Sequence, residues 1–199
     1  PWHRDPRARG SSVKAEHDVL RKPGFRAGLK RLTAMGLSFD AWMYHTQLHE
    51  LVETAQAVPE ANIVMNHIGA AIGIGPYQGK RDEVFADWKL GIEAVAKCPN
   101  VSVKLGGLGM RLFGFDVHTG ERPPTSEQLA AAWGPYIETC IEAFGAQRAM
   151  FESNFPVDKG SCSYQALWNA FKRIAAGASD DEKANLFSGT AARVYRIDI

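Results

Sequence analysis

Phe151-Glu152-Ser153-Asn154-Phe155-Pro156-Val157-Asp158-Lys159 is the stretch on which the reading of this chain turns. An apolar run, Ala149 to Phe151, leads into it. Polar side chains and a proline break the run, and a helix-like pattern resumes near Tyr164. That is the form of a buried strand that delivers polar groups at its C-terminal end, where α/β folds keep their chemistry. Leu37 to His45, Ile63 to His67 and Val101 to Gly109 have the same form.

Between these stretches the apolar spacing is helical. Phe25, Leu29 and Leu32 share a face before Gly36, and Leu48, Leu51, Val52 and Ala55 share one before Pro59. Val84, Phe85, Trp88, Ile92 and Val95 form a stripe over about 82 to 97. Thr125-Ser126-Glu127-Gln128 carries capping residues for a helix running to Phe144. The segments at about 164–176 and 179–187 are also helical, the second with Asp180, Asp181 and Glu182 in its first turn. A β-α pattern repeated with helices of ten residues or more implies parallel strands. The sheet is therefore either doubly wound or part of a (β/α)8 barrel. A whole barrel needs about 250 residues, and this chain has 199.

The bulk numbers bound the function. The chain is 45% hydrophobic and 23% charged with a net charge of +1, which gives no case for nucleic acid or an anionic membrane as partner. It has no apolar run long enough to cross a membrane. Cys98, Cys140 and Cys162 lack metal-ligand spacing, and their odd number favours a reducing, cytoplasmic setting. Residues 1 to 22 are polar and basic and read as an irregular lead-in. A first residue Pro1 raises the expectation of processing or truncation. The whole is expected to be one partial domain over 1–199.

Five motifs in fixed order carry a resemblance: Trp42-Met43-Tyr44-His45, Asn66-His67-Ile68-Gly69, Val103-Lys104-Leu105-Gly106-Gly107-Leu108, Ser153-Asn154-Phe155-Pro156, and Gly189-Thr190-Ala191-Ala192-Arg193-Val194-Tyr195. Together they span about residues 23 to 196. The chain resembles the amidohydrolase-related family of TIM-barrel hydrolases, in particular the branch with sugar-lactone and 2-pyrone-4,6-dicarboxylate lactonases. The resemblance implies an α/β fold, the C-terminal part of a (β/α)8 barrel comprising about strands five to eight. It also implies that strands one to four are missing, with the family's His-x-His pair, so that either a homo-oligomer or a missing N-terminal half is expected to cover the open flank.

The same resemblance implies a hydrolase that opens a lactone or other carboxylic ester, less readily an amide, with activated water. A metal-dependent decarboxylase is an alternative within the wider family. Another is a non-catalytic barrel that has lost its base. A divalent cation such as Zn is one expectation and a metal-free site the other. His67 matches the family histidine that binds metal or polarises the substrate carbonyl. His45 could be a second metal ligand and Tyr44 a substrate contact, though neighbours on a strand face opposite ways and only one can face the pocket.

Lys104 shares a face with Ser102 and is expected inside the barrel, beside a substrate carboxylate or Glu152. Asn154 stands where the family usually has the aspartate that serves as general base. An asparagine cannot take a proton from water near neutral pH. Glu152, two residues earlier and on the same face, is the first choice for the displaced carboxylate, with Asp158 the second. Arg111 and Asp116, in the loop after the third strand, could select an acidic or hydroxylated substrate, and His118 in the same loop could reach over the pocket mouth to bind it. His3, His17 and His49 have no supporting context. Gly73-x-Gly75 lacks the third glycine of a dinucleotide signature.

Overall fold

The protein is described by a computed structural model covering residues 1–9, 15–117 and 119–198. Four strands form one parallel sheet in the order β1 (Ser38–Ala41), β2 (Asn62–Met65), β3 (Val101–Leu105), β4 (Ala149–Phe151). The helices are α1 (Pro23–Ala34), α2 (Leu48–Ala57), α3 (Arg81–Ala96), α4 (Ser126–Phe144), α5 (Tyr164–Ile174), α6 (Asp180–Ala184) and α7 (Thr190–Tyr195).

Alternation along each strand divides the sheet into two faces. Val101, Val103 and Leu105 are fully buried and join Ile63, Met65, Ala149 and Phe151 in the main core. That core is completed by Trp88, Ile92 and Val95 of α3, Trp133 and Ile137 of α4, and Leu167 and Phe171 of α5. The other face carries Asp40, Val64 and Ser102 in register, and Lys104 and Met150 in register one step further along. Its lower part is covered by α7, whose Val194 packs with Val64 and Met150, flanked by Ala191 and Tyr195.

Local chemistry fixes the ends. Thr125 and Gln128 close a reciprocal capping box on α4. The Arg148 guanidinium donates to the carbonyls of Ala96, Cys98 and Val101, tying the entry of β4 to that of β3. The lead-in is irregular, with 3-10 turns at Pro6–Ala8 and Val19–Arg21, yet it is packed: Trp2 N–H donates to Gln47 Oε1 (2.7 Å) and the Thr54 hydroxyl to the Leu20 carbonyl (3.0 Å).

Two expectations change. The first strand ends at Ala41 rather than His45, because His45 N–H bonds the Ala70 carbonyl in a loop and a 3-10 turn begins there. The segment after Ser179 runs through α6 and a π turn, Asn185–Gly189, into α7, so the closing Gly189-to-Tyr195 motif is helical.

Candidate active site

The C-terminal ends of β2 and β4 bring His67 and Glu152 together. His67 Nδ1 lies 2.5 Å from Glu152 Oε1, and both side chains are largely buried, 15% and 16% exposed. The two strands are not neighbours, since β3 runs between them. Contact is possible because β3 exits through Gly106 and Gly107. A Cβ on Gly106 would stand 2.4 Å from Glu152 Cγ, and one on Gly107 2.6 Å from His67 Nδ1. Gly107 also has φ +74°, and the chain turns at His67 and Ile68 through φ values of +52° and +50°. Such conformations in residues with a Cβ each cost about 1–3 kcal/mol and cluster at functional sites. Trp42 closes one side, its ring edge-on to His67 at 4.7 Å.

Asn154 and Asp158 form a second unit on the loop after β4. Asn154, at φ +51°, donates from Nδ2 to Asp158 Oδ1 (2.7 Å), and Gly109 N–H donates to Asp158 Oδ2 (3.1 Å). Asp158 has no accessible surface. Burial pushes its pKa up to about 6, opposed by those two hydrogen bonds and by His67, and assisted by the charge of Glu152. All four proposed catalytic residues, His67, Glu152, Asn154 and Asp158, therefore gather at the exits of β2 and β4.

Several expected contacts are absent. Lys104 does face the inner side, but its ammonium bonds Asp40 Oδ2 (2.6 Å) on β1 instead of Glu152. Tyr195 of α7 donates to Asp40 as well (2.9 Å to Oδ1), and its ring lies 5.3 Å from Lys104 Nζ. Desolvation lowers the Lys104 pKa, the bonds to Asp40 and Tyr195 raise it, and the balance is upward. Lys104 is thus held by an internal anion and not left for a substrate.

His45 does not join His67. Its Nδ1 accepts from Ile72 N–H (3.2 Å), its ring packs edge-on to Tyr77, and burial drives its pKa down to about 4. Tyr44 is 1% exposed beside Trp42 and is packed away from solvent. Arg111 and Asp116 are exposed, and His118 lies outside the described residues. Trp42 and Asp40 are the inner-face residues that sequence reasoning missed. The signal was present: Asp40 and Trp42 are spaced by two, as are Lys104 and Gly106, so each pair shares a face.

The metal expectation can be tested on the donor set. Among the described residues no three His, Cys, Asp or Glu side chains converge on a position that could hold an ion. His67 Nδ1 is committed to Glu152, which leaves Nε2 as its one available donor, and Asp158 accepts at both oxygens. These residues do not by themselves fit a metal. Among the described residues no helix is long and apolar enough to cross a membrane.

Comparison with known proteins places the fold. The chain is 41% identical over 182 residues to the uncharacterized protein y4mH of Sinorhizobium fredii, covering 92% of this chain and 54% of that protein. It is 28% identical over 203 residues to an L-fucono-1,5-lactonase of Burkholderia ambifaria, covering 98% and 63%. A crystal structure of an amidohydrolase from Burkholderia multivorans with bound Zn aligns with a TM-score of 0.79 at 26% identity, over 92% of this chain and 62% of that one. A putative 2-pyrone-4,6-dicarboxylic acid hydrolase from Pseudomonas putida shares the fold, with a TM-score of 0.63 at 19% identity. The chain spans less than two thirds of each of these proteins, and its α/β unit is part of an amidohydrolase barrel. An amidohydrolase family model runs through the sheet and its polar strand ends from residue 2 to residue 197, and the chain belongs to that family.

Proposed function

We propose that this chain supplies the acid-base side of a site that hydrolyses a lactone or related carboxylic ester. The observation that carries the reading is the His67–Glu152 pair, set across the bare backbone of Gly106 and Gly107. Two relatives named L-fucono-1,5-lactonase, each 28% identical, support the substrate class.

The chemistry follows from the pair. Glu152 accepts from His67 Nδ1–H, which leaves Nε2 as the basic nitrogen. A water beside Nε2 loses a proton to it while its oxygen adds to the lactone carbonyl carbon. Glu152 stabilises the imidazolium that forms. Collapse of the tetrahedral intermediate breaks the ring C–O bond, and Nε2–H returns the proton to the departing oxygen. The product is an open hydroxy acid. Asn154, with Nδ2 fixed by Asp158, keeps Oδ1 to accept from the water or from a substrate hydroxyl.

The test is hydrolysis of a panel of sugar γ- and δ-lactones by the wild type and by Glu152→Gln. Loss of about 10²- to 10⁴-fold in kcat/KM with an unchanged circular dichroism spectrum is expected, the usual worth of a positioned acid-base group. A wild type inert across the panel, or a Glu152→Gln variant with full activity, would refute the assignment.

A further inference from the structure

The reaction as written gives Asp158 no part of its own, although it is a titratable group with no accessible surface. Its two oxygens are held by donors of different kinds. Gly109 N–H donates to Oδ2 (3.1 Å), and this donor is fixed: the Ser161 hydroxyl donates to the Gly109 carbonyl, and a Cβ on Gly109 would stand 2.9 Å from Oδ2. Asn154 donates from Nδ2 to Oδ1 (2.7 Å), and this donor can turn, because an amide carries an acceptor at its other end.

That asymmetry decides where a proton goes. Ionised Asp158 accepts at both oxygens, and Asn154 then keeps Oδ1 for the site. A proton added to a buried carboxyl needs an acceptor. Oδ2 faces the Gly109 N–H, so the proton belongs on Oδ1, against Asn154; among the described residues no other hydrogen bond reaches either oxygen. To accept that proton the Asn154 amide turns over, puts its own Oδ1 on Asp158 and swings Nδ2 into the site. The backbone stays in place, because Asp158 N–H donates to the Asn154 carbonyl (3.1 Å). The titratable groups that face Asp158 are His67 and Glu152 across the site and the Cys162 thiol beside it, and burial outweighs them in holding its pKa at about 6.

We infer that Asp158 is a positioning residue whose proton sets which end of the Asn154 amide faces the substrate. With Asp158 ionised, Asn154 Oδ1 accepts from the attacking water. With Asp158 protonated, Asn154 Nδ2 donates to the lactone carbonyl oxygen and the water loses its acceptor. Hydrolysis is thus matched to the ionised state, while a ligand that only accepts is held more tightly in the protonated one. The part that Asn154 plays with water rests on the proposed hydrolase site; the turn of its amide does not.

Asp158→Asn holds the turned state at every pH, since the new amide accepts from Gly109 N–H and donates to Asn154 Oδ1. The binding probe is N-methyl-2-piperidone, a lactam with a carbonyl acceptor and no N–H. By calorimetric titration the variant should bind it about fivefold more tightly than the wild type at about pH 7.5, the worth of one hydrogen bond, and equally at about pH 5. On δ-valerolactone the variant's kcat should be about tenfold below wild type at about pH 7.5 and should meet it at about pH 5, with KM no higher. A purely structural role would lower kcat at both. In the wild type alone, the side-chain amide resonance of Asn154, identified by its absence from Asn154→Ser, should move between two positions with a midpoint at about pH 6, a readout that stands even where Asp158→Asn fails to fold. A resonance that holds one position over this range, or a binding ratio that is the same at both pH values, overturns the switch, whatever the turnover. A kcat ratio that is the same at both pH values overturns its coupling to the reaction. No lactone turnover by the wild type, with the binding crossover intact, upholds the switch and removes the hydrolase reading.

Discussion

Replacing Asp158 with Asn should change the pH dependence of stability in a direction that the structure dictates. Burial raises the Asp158 pKa from 3.8 to about 6. The folded value lies above the unfolded one, so between these limits the folded protein holds the extra proton. The ionised carboxylate costs stability above pH 6, and that cost vanishes as pH falls toward 4. A shift of two units corresponds to about 3 kcal/mol. His45 works in the opposite sense. Burial lowers its pKa from 6.5 to about 4, so its contribution is present above pH 6.5 and is lost as pH falls toward 4, again about 3 kcal/mol. In the wild type the two slopes oppose each other.

Asp158→Asn removes one of them while keeping the contacts. The new Oδ1 accepts from Gly109 N–H, and Asn154 can turn its amide to accept from the new Nδ2. Urea unfolding followed by tryptophan fluorescence, from about pH 4 to about pH 7.5, gives the difference in stability between variant and wild type. That difference should climb by about 3 kcal/mol with rising pH, and the variant alone should show the acid limb due to His45. A difference that is flat, or that falls as pH rises, would refute the assignment of burial as the dominant influence on Asp158.

Gly107→Ala should cost about 1–2 kcal/mol at its positive φ and lower kcat/KM by more than tenfold, because the added methyl displaces the His67 ring; activity assays beside denaturant titration check both parts. Tyr195→Phe removes the hydroxyl from Asp40 and should cost about 1 kcal/mol while leaving KM unchanged, measured by thermal unfolding and lactone kinetics. His45→Asn keeps an acceptor in reach of Ile72 N–H and removes the slope that opposes Asp158, so the stability of this variant should fall by about 3 kcal/mol as pH rises from about 4 to about 6.5, read by unfolding titrations.

The parts of the fold that were legible in the sequence are those set by local periodicity. Val101 to Leu105 alternates, and it is β3 to the residue. Thr125 and Gln128 advertised a capping box that is present at α4. What failed depended on partners far along the chain. Lys104 could be placed on the inner face from its spacing with Ser102, but its counter-ion sits on β1, two strands away, and no local pattern names Asp40. His45 looked like a strand-end ligand until the loop carrying Ile72 folded back to take its Nδ1. Gly106 and Gly107 carry no side chain from which a role could be read, yet the backbone there is the surface against which Glu152 and His67 rest.

The inner face therefore carries two ion pairs, one above the other, and both cross a strand. In the lower layer Asp40 of β1 reaches Lys104 of β3 past Val64 of β2, and Tyr195 of α7 completes the group. In the upper layer His67, after β2, reaches Glu152, after β4, past the glycines of β3. Adjacent strands are about 4.8 Å apart, so each pair bridges about 10 Å of backbone: Lys104 spans it with a long side chain, and Glu152 and His67 meet over bare glycine. The order of the layers matters for the chemistry. Lys104 lies one step below Glu152 on the same face, and unpaired it would compete with His67 for the carboxylate. With Asp40 already on Lys104, the competing cation is neutralised and the charge of Glu152 is directed at the imidazole. The α7 residue Tyr195, by joining Asp40 and Lys104, thus helps to keep the upper carboxylate for the imidazole.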